Sequence, residues 1–282
     1  MLNRRDFLQS SIAALIAGAA TARRALASAQ PIGVQLYTVR TLSQRDLPGV
    51  LATIRKIGYE EVETYWDVYT HTAAELKRMI GDHGLRVPSG HFNYDGLEGK
   101  LDYAKTLGVE YVICPMLPPE MQTSLDGFKR AADQFNKWGE HIQKMGMRLG
   151  FHTHNYEFRR FGNTTGFDTL MERTDPKLMC VEIDCYWVTE AGRDPVQMIK
   201  ELGRRVRLLH MKDRKPGFAT STSLNAQAEH FTPVGTGTID WKAVIAAAKG
   251  DGIQHYFVEQ DSGPPAPLDC LRVSYKNLRP LV

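Results

Sequence analysis

The chain has 282 residues, 43% of them hydrophobic, with 35 basic and 32 acidic side chains and a formal net charge of +3. Residues 1–29 hold four arginines and one aspartate, so beyond them the charges balance at 31 of each. That balance, with no low-complexity run and no heptad pattern, leaves no basic surplus for nucleic acid or an anionic surface and excludes fibrous and disordered classes.

The N-terminus reads as a targeting segment. Asn3-Arg4-Arg5-Asp6-Phe7-Leu8 is followed by the uncharged stretch Ser10 to Ala22 and then by Ala27-Ser28-Ala29. A charged region, a modest apolar region and a small-residue cleavage site make an export signal, and the paired arginines give it a twin-arginine character. The apolar run is short and rich in Ala and Gly against the roughly 20 residues of a membrane span. The expectation is cleavage after Ala29, a periplasmic product with no stable membrane anchor, and one catalytic domain over 30–282.

Periodicity then gives a strand–helix alternation. Strands are expected at Ile32–Tyr37, Glu61–Thr64, Leu85–Gly90, Tyr111–Cys114, Arg148–Thr153, Met179–Asp184, Val206–His210 and Tyr256–Glu259. Helical patterns fall at Leu47–Ile57, Ala73–His83, Leu97–Leu107, Leu125–Met145, Phe167–Glu172, Val196–Leu202, Trp241–Ala248 and Leu268–Lys276. Gly58, Gly84, Gly108 and Gly146 sit near helix ends, as C-terminal glycines should. Eight such units in about 250 residues match an α/β fold of the (β/α)8 TIM-barrel type. A doubly wound sheet would place a glycine-rich turn after the first strand, but Tyr37-Thr38-Val39-Arg40 has no glycine. Cys114, Cys180, Cys185 and Cys270 are expected as buried thiols, three of them lying in or beside buried strands.

In a barrel the functional groups gather where the strands end. Four late apolar runs close on metal-type ligands: His152, Asp184, His210 and Glu259. Mixed imidazole and carboxylate donors suit a divalent cation such as Mn, Co, Zn or Mg. Strand alternation puts His154 on the face of His152, and Glu182 on that of Asp184. The surplus groups are free to orient ligands, contact substrate or move protons. The opposite ends of the strands show no comparable titratable cluster, so polarity is expected at one mouth. Each residue also has a plainer reading: a histidine capping a strand, or a buried carboxylate paired with Lys212 or an arginine.

The order and spacing of several short motifs carry a resemblance. They are Gly33-Val34-Gln35-Leu36-Tyr37, Gly58-Tyr59-Glu60-Glu61-Val62-Glu63, His152-Thr153-His154-Asn155-Tyr156-Glu157-Phe158, Glu182-Ile183-Asp184, His210-Met211-Lys212-Asp213, Gly235-Thr236-Gly237 with Asp240-Trp241, and Phe257-Val258-Glu259. Together they resemble the sugar phosphate isomerase/epimerase group of xylose-isomerase-like TIM barrels, over nearly everything after the signal. The resemblance implies a metal held by Glu, Asp, His and Glu from the last four strands. Asp184, His210 and Glu259 match three of these, while His152 stands where many members carry Glu, with Glu157 as a substitute ligand if its loop folds back.

The resemblance further implies proton abstraction beside a sugar carbonyl, by two metal-bound glutamates in the epimerases. With His152 in place of one glutamate, a one-base isomerisation or a 3-keto-glycoside lyase reaction becomes the alternative. Glu259 is the expected base, with Lys212, Glu157 or His154 as acid. Tyr37, Glu63, His91 and Trp187 are expected to orient a sugar or polyol ring. No glycine-rich phosphate cradle opens a helix, so a non-phosphorylated carbohydrate is the expected partner. A noncatalytic periplasmic sugar-binding protein is a second possibility. An abasic-site nuclease is opposed by the charge balance and the export signal.

Overall fold

The computed structural model describes residues 30–224 and 228–282. The expected export signal and cleavage site fall outside the described residues.

Residues 31–281 form one compact unit. Its eight parallel strands are β1 (Gly33–Gln35), β2 (Glu61–Thr64), β3 (Arg86–His91), β4 (Tyr111–Cys114), β5 (Arg148–His152), β6 (Met179–Asp184), β7 (Val206–Met211) and β8 (His255–Val258). They pair in sequence order, and β8 closes on β1 through Gly33 opposite Phe257. This is the expected (β/α)8 barrel, with β2, β4 and β6 at their expected bounds. Tyr111, Ile113, Cys180, Leu208 and Phe257 form an apolar plug inside it. Gly33 is required there, because any Cβ would collide with the Phe257 ring.

The helices are α1 (Arg40–Ile57), α2 (Ala73–Asp82), α3 (Leu101–Leu107), α4 (Leu125–Lys144), α5 (Gly166–Arg173), α6 (Cys185–Glu190), α7 (Pro195–Leu202), α8 (Trp241–Asp251) and α9 (Pro267–Leu278). Helix α1 begins earlier than expected but kinks at Asp46, whose φ of −154° is not helical. The Asp46 carboxylate accepts the Gly49 N–H at 2.9 Å, so the expected Leu47–Ile57 helix is the segment after that internal cap. Gly58, Gly84, Gly108 and Gly146 all take positive φ, the backbone state that a left-handed helix end requires. The short α6 was not anticipated. The four cysteines are free and buried, as expected. Among the described residues no helix is long and apolar enough to cross a membrane.

One expectation is corrected by the strand direction. Glu61 opens β2 and therefore lies at the opposite end of the barrel from the mouth. There it meets Arg86 at 2.9 Å and His255 at 2.8 Å, so the far end does carry a buried polar cluster.

Candidate active site

The strands deliver their last residues to one cavity of about 290 Å³ at the C-terminal mouth. Tyr37, His91, His152, His154, Trp187, Lys212 and Glu259 line it, joined by Asp261. Asp184, His210, Glu63 and Glu157 are buried beneath or beside it and do not line it.

Asp184 is placed by the element it starts. Its Oδ1 caps α6 by accepting the Trp187 N–H at 2.9 Å, and its own N–H donates to Thr153 Oγ1 at 3.0 Å. This leaves Oδ2 aimed away from the cap. Oδ2 is buried and has no aligned hydrogen bond, though Lys212 Nζ lies 3.1 Å away. Lys212 also reaches Glu259 Oε2 at 2.8 Å and Asp261 Oδ1 at 2.9 Å, so one ammonium faces three carboxylates.

His210 sits at the centre. Its Nδ1 meets Glu259 Oε2 at 2.8 Å and its Nε2 meets Glu63 Oε2 at 2.6 Å. Glu63 also accepts from Gln35 Nε2 at 2.7 Å and from the Ser89 hydroxyl, and lies 3.1 Å from His91 Nε2. Glu63, expected as a substrate contact, is buried and does not line the cavity. Its strand position puts it one layer below the mouth, where every approach is filled by a protein donor. His91 and His152 converge on a second buried carboxylate, Glu182 Oε2, at 2.9 Å each, with His210 Nε2 at 3.3 Å.

The charges follow from these contacts. Burial opposes ionisation of Glu259, but Lys212 and His210 outweigh it and hold its carboxyl well below the usual range. Burial likewise works against Lys212 and His210, yet their carboxylate partners raise both well above their ordinary values. For His91, burial is outweighed by Glu63 and Glu182, and its pKa rises to about 9. Burial and repulsion by Glu63 push Glu182 up to about 7. His152 and His154 are the contrasting imidazoles: burial and the neighbouring His210 hold His152 well below its ordinary value, and burial and Lys212 hold His154 neutral at about 3. Burial lifts Glu157 to about 8, and its Oε1 accepts the His154 N–H at 2.9 Å. Glu157 thus positions the His154 segment from outside the cavity.

Two groupings have one donor atom per residue within 4.8 Å of the others: Asp184, His210 and Glu259, and separately His91, His152, Glu182 and His210. The first holds three of the four expected ligands. His152 falls in the second, because its Nδ1 bonds Glu182, while its Nε2 stands 3.8 Å from Asp184 Oδ2. Glu157 belongs to neither. The donor set fits a divalent cation at Asp184, His210 and Glu259: two carboxylates and an imidazole, with a buried carboxylate oxygen lacking a hydrogen bond.

Sequence reasoning gave Asp261 and Glu182 no assigned role. Glu182 had a signal, sharing the face of Asp184 two residues on; Asp261 stands two residues beyond Glu259. The Gly235-Thr236-Gly237 motif is explained by Asp213. Its carboxylate accepts the Gly235 and Gly237 N–H groups at 2.9 and 3.0 Å and the Trp241 indole at 2.9 Å. The glycine loop therefore wraps an internal anion, and a Cβ on Gly237 would strike that carboxylate.

Comparison with known proteins agrees with this architecture. The family described as xylose isomerase-like TIM barrel matches residues 51–269. An inosose dehydratase from Geobacillus thermodenitrificans is 30% identical over 229 residues, covering 70% of this chain and 76% of that protein. The chain spans about half the length of further inosose dehydratases that it matches. Among solved structures, a sugar phosphate isomerase/epimerase from Parabacteroides distasonis superposes with a TM-score of 0.74 at 24% identity, covering 89% of this chain and 94% of the other. The IolI protein, solved with a zinc atom, gives 0.68 at 17% identity over 90% and 98% of the two chains. The chain is a member of the xylose isomerase-like TIM barrel family.

Proposed function

We propose that this protein is a divalent-metal-dependent enzyme that removes a proton beside a carbonyl of a non-phosphorylated sugar or polyol, with elimination as the favoured outcome. The observation that carries the reading is the convergence of Asp184, His210 and Glu259 with Lys212 at the cavity floor. Asp184, His210 and Glu259 would hold the ion, with His152 the nearest further ligand. When bound, such an ion polarises a carbonyl oxygen and acidifies the neighbouring carbon.

The chain's own groups supply the proton traffic. Glu259 is an ionised carboxylate lining the cavity and is the base. Pinned between Lys212 and His210 it is weakly basic at rest. A substrate oxygen that draws the ammonium toward itself frees Glu259 to accept a proton. Lys212, fully charged, is the donor to a departing oxygen. His154, neutral and with its ring centre 5.3 Å from the tilted Trp187 ring, orients the sugar ring. Glu157 lies outside the cavity lining and is not the direct acid in this reading.

Isomerisation and epimerisation share the first step, but two-base epimerisation needs a second carboxylate facing Glu259 across the substrate. His152 stands in that fourth position with its Nδ1 committed to Glu182. One base and one acid suit elimination, whether dehydration or cleavage of a 3-keto-glycoside, and the inosose dehydratase relatives favour it too. The absence of phosphate from the substrate is supported by two features. Asp213 occupies the glycine-loop amides, and Lys212, the one lysine or arginine lining the cavity among the described residues, is engaged by three carboxylates. This reading includes export to the periplasm, supported by the twin-arginine character of residues 3–8.

Incubating the metal-loaded protein with keto-sugars and 3-keto-glycosides in D₂O tests the proposal. Deuterium at the carbon beside the carbonyl, with loss of water or of the glycosidic substituent, is expected. Exchange with inversion and no elimination makes the protein an epimerase. Tight binding without exchange at any carbon makes it a binding protein.

A further inference from the structure

Four large apolar side chains stand exposed among the described residues: Trp66, Met116, Leu224 and Val273. Three of the four, at 37–39% exposure, line the same cavity as Glu259 and Lys212. They come from different sides of the mouth. Trp66 follows β2, Met116 follows β4, and Leu224 lies in the connection between β7 and α8. Isolated exposed apolar residues need no explanation, but three gathered around one polar cavity do.

The collar is built rather than incidental. Trp66 is braced by Tyr65, with ring centroids 5.5 Å apart, and by Tyr37 at 5.7 Å. Tyr37 is in turn held under the Arg40 guanidinium, 4.2 Å from its ring centre. The indole is thus fixed against the wall while still 38% exposed. Below it the chemistry changes within one cavity, from apolar rim to carboxylates, imidazoles and an ammonium. The cavity volume of about 290 Å³ is at the low end of small-molecule pockets, so the floor takes one polar ring and anything attached to that ring meets the collar. The concave shape favours a compact group over a flat protein surface. Met116, unbranched and adaptable, suits apolar groups of varied outline.

From this we infer that the mouth carries a second subsite, formed by Trp66, Met116 and Leu224, which binds an apolar, ring-sized substituent on the sugar held below. The inference rests on the carbohydrate reading of the floor and narrows it: the substrates are sugars bearing a hydrophobic appendage, as in aryl glycosides, rather than free monosaccharides.

Calorimetric titration with phenyl and methyl β-D-glucosides tests it without requiring turnover. The wild-type protein is expected to bind the phenyl glucoside about tenfold more tightly, the scale of one aromatic contact. In Trp66→Ala the ratio should collapse toward one. Met116→Ser or Leu224→Ser should lower it by a smaller factor, and either serves if Trp66→Ala misfolds. Val273→Ala, on α9 and outside the cavity, should leave it intact. A wild-type ratio near one, or a ratio indifferent to all three collar substitutions, overturns the subsite. Deuterium exchange with the 3-keto forms is scored in parallel. Collar selectivity without exchange removes the proposed chemistry and keeps the subsite, whereas exchange without selectivity does the reverse. Failure of both glucosides to bind removes the subsite, and failure of binding together with absence of exchange removes both.

Discussion

At the N-terminal end of the barrel, one buried carboxylate, Glu61, meets two cationic-type partners: Arg86, with its side chain 66% exposed, and His255. At the C-terminal end the ratio is inverted, and one ammonium, Lys212, meets three carboxylates, while His210 bridges two more contacts to Glu63 and Glu259. The residue types are the same and the balance differs. Burying a carboxylate is costly unless it is paired, so the first cluster, with two cationic-type partners for one carboxylate, reads as structural although Glu61 Oε1 also lacks an aligned hydrogen bond. The second has more negative charge than its protein partners answer, including an Asp184 oxygen without a hydrogen bond. Such a surplus is what a cation site requires, and it separates a working end of the barrel from a bracing end.

The sharpest way to break this comparison is Asp184→Ala. Divalent metal measured after dialysis should fall to near zero and turnover by about a thousandfold or more, as when a polarising ion is lost. A metal-free variant with full activity would undo the proposed division. Next comes Glu259→Gln, which keeps the shape and removes the base. A loss of about 10²–10⁴ in kcat, with deuterium exchange lost in proportion, is the range for a positioned proton acceptor. Retained exchange would move the base to Asp261, which burial raises to about 6 and which lines the same cavity.

Glu61→Gln tests the other end. It should lower stability by about 1–3 kcal/mol in denaturant unfolding, the cost of unmatched buried groups, while metal content and turnover per folded molecule stay unchanged. Loss of metal in this variant would show that the two ends are not independent.

The smallest effect concerns Glu157, beside the mouth. Burial raises it to about 8, above the roughly 4.3 of an unfolded glutamate. The native state therefore holds an extra proton between these values. Its contribution is intact below about pH 4.3 and is lost as pH rises through about 8. Glu157→Gln retains an acceptor for the His154 N–H and cannot ionise. Its melting temperature relative to the wild type should climb by a few degrees from about pH 5 to about pH 9. A constant difference across that range would mean that Glu157 is already ionised in the folded protein.

The alternation of elements was readable because each strand is a continuous apolar run between turn signals, and β4 and β6 begin and end where those runs do. Asp184, His210 and Glu259 were readable for a related reason, each closing such a run. Helix α6 was not, since six residues give too little periodicity and its start depends on the Asp184 cap. The role of Glu63 was hidden because its partners Gln35, Ser89, His91 and His210 come from strands far apart in the chain. The position of Glu61 at the far end was not readable for a simpler reason. A run of four residues with two inward glutamates does not say which of them stands at the mouth.

By itself the sequence determined the barrel, the direction of its polarity and three converging metal-type ligands, because these depend on local periodicity and on where apolar runs stop. Tertiary structure alone decided which carboxylate each cation answers, that His152 turns to Glu182, that the glycine loop encloses Asp213, and that Trp66, Met116 and Leu224 share one rim. Those are distances between residues up to about 200 positions apart, set by closure of the sheet and by the competition of buried charges for partners. Neither is written in any single segment.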